Sequence, residues 1–131
     1  MNTARKYGLH FVVNKMDDGQ YPYISCDRDS TGSTINDDIA SFIDCGGVQQ
    51  TDRFLKEIDS VQPFINNGYL GEYPMDSFNE DVIYLSSPPS VAIFNRGGID
   101  TVIPLDDFVE ILKEWKAFLQ SLPFKHWLSN L

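Results

Sequence analysis

From Ile103 to Leu122 the chain reads IPLDDFVEILKEWKAFLQSL. Leu105, Phe108, Leu112, Trp115, Leu119 and Leu122 follow one another three or four residues apart, the spacing that gathers side chains on one side of an α-helix. Asp106 and Asp107 stand near the start, where carboxylates favour the positive end of the helix dipole, and Pro123 stands past the end. Such an apolar stripe needs a second layer to bury it. The rest of the chain reads as strands and shorter helices that supply one.

YGLHFVV, Tyr7 to Val13, and QYPYISC, Gln20 to Cys26, are rich in aromatic and β-branched residues. Asp17-Asp18-Gly19 between them provides residues that tolerate positive φ, so the pair predicts a hairpin. VIYLS from Val82, SVAIFN from Ser90 and IDTVI from Ile99 are strand-like runs separated by Ser87-Pro88-Pro89 and Arg96-Gly97-Gly98, which predicts a three-stranded meander. Between the two β groups, Asn36 is placed to cap a short helix with Asp37 and Asp38 in its first turn and Ile39, Phe42 and Ile43 on one face. A second helix is expected from Thr51, carrying Phe54, Ile58, Val61 and Ile65, with its last turn interrupted at Pro63. The expectation is one α+β domain over residues 1–131, with about three helices on a mainly antiparallel sheet.

A chain of this length, 42% hydrophobic, can bury a core without metal or disulfide staples. Cys26 and Cys45 fall in no metal-binding spacing and predict free thiols. MNTARKYGLHFVV has no signal-peptide cleavage pattern, and no run is long and apolar enough to span a bilayer; a cytoplasmic location is expected. The formal net charge of -9 opposes approach to nucleic acid phosphates or an anionic membrane surface and suits a basic partner.

That charge is uneven. No Lys or Arg occurs from residue 57 to residue 95, and within this interval lies NNGYLGEYPMDSFNED, Asn66 to Asp81, which reads as a long loop combining acids with aromatics. Aromatic anchors among carboxylates are the composition of a protein-binding hot spot, so Tyr69, Glu72, Tyr73, Asp76, Glu80 and Asp81 are candidate partner-binding residues. The competing reading is that Tyr69, Leu70 and Phe78 pin the loop to the core. Asp37, Asp38 and Asp44 on the short helix form a second acidic surface.

Catalytic chemistry finds little support. His10 and His126 lack a partner pattern for a nucleophile, Ser86 and Ser87 lie outside any G-x-S-x-G elbow, and the Gly-Gly pairs belong to no phosphate loop. The expectation is a protein that is not an enzyme and carries no cofactor. DRDSTGSTINDD, Asp27 to Asp38, partly follows a calcium loop through Asp27, Asp29, Thr31, Gly32 and Asp38, so a small calcium-binding module is an alternative, as is an acidic adaptor. Thr34 and Asp38 depart from that pattern, which favours an apolar eighth and a glutamate twelfth position.

Ile103, Leu105, Phe108, Leu112, Trp115, Phe118 and Leu119 resemble the strand-into-helix segment I-x-L-x-x-F-x-x-x-L-x-x-W-x-x-F-L of bacterial immunity proteins kept beside polymorphic toxins, those of contact-dependent growth inhibition (CDI) in particular. The resemblance covers about a sixth of the chain and rests on core residues. It implies a cytoplasmic antitoxin that binds a cognate toxin C-terminal domain and blocks its active site. A basic nuclease toxin would suit an acidic plug, which needs no direct contact with nucleic acid or membrane.

Overall fold

The computed structural model describes residues 2–44, 46–68, 71–77, 81–87, 89–96 and 98–122, residue 96 by its backbone. The element order is α1 (Thr3–Lys6), β1 (Leu9–Met16), β2 (Gly19–Cys26), α2 (Asp37–Ile43), α3 (Val48–Asn66), β3 (Glu72–Asp76), β4 (Val82–Ser86), β5 (Val91–Arg96), β6 (Ile99–Pro104) and α4 (Leu105–Gln120). β1 and β2 make an antiparallel hairpin, and β3-β4-β5-β6 make an antiparallel sheet in chain order. The fold is α+β, as the patterning predicts.

The six apolar residues that alternate along the sheet, Met75, Ile83, Leu85, Ala92, Phe94 and Ile103, are all buried against the helices. Phe94 meets Phe108 of α4 at 5.3 Å edge to face and Phe42 of α2 at 6.1 Å, and Phe42 stacks on Phe54 of α3 at 4.8 Å. One aromatic cluster therefore joins the sheet to three helices, with each ring contact adding about 0.5–1.5 kcal/mol to area burial. Trp115 lies two turns further along α4, against Phe11 of the hairpin at 5.1 Å and Phe118 at 5.8 Å. The stripe of α4 thus serves two layers, with Phe108 toward the sheet and Trp115 toward the hairpin.

Four local expectations are corrected. EYPMD, expected in a loop, is the edge strand β3, so the meander has four strands. Pro74 has no N–H to donate, which suits an edge strand and disguises it in sequence. α3 begins at Val48, where Gly47 holds the N-cap position; Thr51 is one turn inside, its Oγ1 donating to the Gly47 carbonyl at 3.0 Å. It also runs through Pro63 to Asn66. Asn36 holds the N-cap position of α2 as expected, in a left-handed conformation (φ 55°), but its side chain makes no capping bond; its Nδ2 donates instead to the Tyr7 carbonyl at 2.8 Å. The short α1 is new: Glu114 of α4 accepts the N–H groups of Thr3 and Ala4 at 3.0 and 2.9 Å, and Asp107 accepts from Lys6 Nζ at 3.1 Å and from the Tyr7 hydroxyl.

Candidate functional site

β3 is the edge strand of the sheet and its alternation decides where the candidate residues go. Glu72 and Asp76 face outward and are exposed, with Pro74 between them, whereas Tyr73 and Met75 face the helices. Tyr73 is half-buried and its hydroxyl donates to Glu57 Oε2 of α3 at 2.7 Å. That hydrogen bond, more than burial, raises the phenol pKa above its ordinary value. Tyr73 is therefore held between sheet and helix rather than offered to solvent. Tyr69 and Glu80 lie outside the described residues, as do Leu70 and Phe78.

The structure brings two acidic groups, distant in sequence, to one end of the sheet. Asp81 leads into β4, and its backbone carbonyl accepts the Ser77 N–H at 2.9 Å across the β3–β4 connection. Ser41 Oγ of α2 donates to Asp81 Oδ2 at 3.0 Å. Asp38, at the start of α2, lines one small cleft with Asp81, Val82 and Asn95. Asp76 ends β3 opposite Val82 in the sheet register. The first-turn acid Asp37 is exposed beside Asp38. Arg53 Nη2 donates to the Asp76 carbonyl at 3.3 Å, so its guanidinium flanks this end of the strand.

Asp44 belongs elsewhere. At the end of α2 it accepts the Ile24 N–H of the hairpin at 3.2 Å. Although the residue as a whole retains solvent exposure, desolvation by the neighbouring protein pushes its carboxyl up to about 6, against the opposing pull of that N–H.

Four lysines pair with carboxylates of the helices. Lys116 and Lys56 pair with Asp52 at 2.7 and 3.4 Å, Lys6 with Asp107 at 3.1 Å, and Lys113 with Glu110 at 3.9 Å. Among the described residues, Asp38, Glu72, Asp76 and Asp81 have no side-chain ion pair with a lysine or arginine. Asp38 of α2, Glu72 and Asp76 of β3 and Asp81 before β4 are thus acids that these ion pairs leave uncompensated.

The residues of the calcium-loop pattern are held by local hydrogen bonds. Asp29 Oδ1 accepts the Thr31 hydroxyl at 2.6 Å, the Thr31 N–H at 2.9 Å and the Ser33 N–H at 3.1 Å, a self-contained aspartate turn. Those bonds, the Thr31 hydroxyl first, lower the Asp29 pKa below its ordinary value. Arg28 Nη1 donates to the Gly32 carbonyl at 2.7 Å, and Asp27 holds His10 Nε2 at 2.8 Å. No group of three or more His, Cys, Asp or Glu converges on a metal position among the described residues. No helix among them is long and apolar enough to cross a membrane.

Comparison with models of protein families, with curated proteins and with solved structures found no match.

Proposed function

We propose that this chain is an immunity protein: a non-catalytic inhibitor that binds a cognate toxin domain, a basic nuclease, and blocks its active site. The observation that carries the reading is a group of acids, Asp38, Glu72, Asp76 and Asp81, that among the described residues make no side-chain ion pair with a lysine or arginine. A cleft that binds nucleic acid is positive, and a rigid surface of opposite potential is attracted to it and competes with the substrate's phosphates. The strand-into-helix segment from Ile103 to Leu119 adds the family resemblance, and the net charge of -9 agrees in sign.

The test is growth protection. The toxin domain encoded by the adjoining reading frame should arrest cells when expressed alone, and co-expression of this chain should restore growth. Arrest that persists with soluble, folded chain present would overturn the reading.

A further inference from the structure

The outward side of the four-stranded sheet is not the polar surface that a solvated antiparallel sheet ordinarily presents. Its cross-strand register aligns Pro74 of β3, Tyr84 of β4, Ile93 of β5 and Val102 of β6 in one row across all four strands. Tyr84 is 39% and Val102 55% exposed, and Val82 beside them 38%. The three longer helices are accounted for on the opposite side, α2 and α4 through Phe42, Phe94 and Phe108, and α3 through Phe54 and the Glu57–Tyr73 bond, while α1 is held by Glu114 of α4. The acids Glu72 and Asp76 flank Pro74 on the same face, two residues away on either side along β3. An apolar centre with a charged margin is the anatomy of a protein interface, in which aromatic residues anchor the middle and charges choose the partner.

We infer that this sheet face is the docking surface for a basic protein partner, with Tyr84 as its central anchor and Glu72 and Asp76 receiving lysine or arginine at its margin. The inference rests on the partner-binding reading above and adds the face and the anchor. A second copy of the chain is disfavoured as the occupant, because stacking two such faces would set acidic margins against each other in a chain of net charge -9. A basic surface meets the same face with charges of the opposite sign. Apolar area at the centre supplies contact without requiring a pocket.

Site-specific photo-crosslinking in cells that naturally make the protein tests this directly. p-Benzoylphenylalanine would replace Tyr84 or Val102 on the face, and Asp59 of α3 or Tyr23 of the hairpin as controls; thermal melts verify that each variant folds. Adducts from positions 84 and 102 with a lysine- and arginine-rich domain are expected. The purified domain should bind about tenfold or more weakly to the double variant Glu72→Lys, Asp76→Lys. Adducts with a second copy of the chain, adducts from the control positions alone, none from the face positions, or undiminished binding by the double variant would each overturn the inference. Control-position adducts with a toxin domain would leave the immunity reading standing on another face. Face adducts with a basic domain devoid of toxicity would keep the docking surface and remove the immunity reading.

Discussion

Trp115 and Asp44 show how single residues set the stability of this fold. The indole of Trp115 is buried where α4 meets the hairpin, between Phe11 and Phe118. Trp115→Ala removes the largest side chain of that contact, and the expected loss is about 3–5 kcal/mol in denaturant unfolding, as for large-to-small changes in other cores. Because the cavity lies beside the hairpin, amide exchange should accelerate in β1 and β2 more than in the sheet. Asp44 acts through pH. Its ordinary value is 3.8 and folding raises it to about 6, so between those values the native chain holds a proton that the unfolded chain has released. The contribution of Asp44 is therefore present below about pH 4 and lost as pH rises through about 6. Asp44→Asn keeps an acceptor for the Ile24 N–H and removes the titration. Relative to the parent, its stability should rise across that window and level off above it, measured by urea melts at successive pH values; a constant difference would contradict the assignment.

At the scale of elements, α1 is the least self-sufficient piece. Four residues cannot hold a helix by their own hydrogen bonds, and α1 relies on α4: Glu114 receives the Thr3 and Ala4 N–H groups and Asp107 receives Lys6 and Tyr7. Glu114→Ala leaves two donors without their carboxylate and should cost about 1–3 kcal/mol, with exchange protection lost first over residues 3–6. Elements like α4 were legible because the apolar period of the sequence is the period of burial. The hairpin and β4 to β6 were legible for the same reason, through alternation bounded by Gly, Pro and Asp. β3 was not, because EYPMD carries two acids and a proline, and only its place at the sheet edge makes that composition acceptable. α1 was not, since its stabilising carboxylates come from residues a hundred or more positions away. Of the candidate site, the excess of acid was legible but its arrangement was not: Asp38 and Asp81 meet only through α2 packing on the sheet. Tyr84 lies outside the acidic stretch, and the alternation in VIYLS, with Ile83 and Leu85 buried, is the signal that its ring faces outward.

For the whole molecule, the net charge of -9 bears on how the proposed partner would arrive. Charges that steer an encounter act over distance and are screened by salt, whereas contacts that close the interface act at short range. The association rate with the proposed toxin domain should therefore fall steeply as ionic strength rises while the dissociation rate changes much less, in stopped-flow or surface-binding kinetics. An association rate indifferent to salt would remove steering from the account.

Inhibition itself is the central claim, and titration of catalytic activity tests it most directly. Purified chain added to the purified toxin domain, with cleavage of a labelled nucleic acid as the readout, should lower activity in proportion to the chain added and abolish it at equal molar amounts. Activity that persists undiminished with the chain in molar excess would contradict the account.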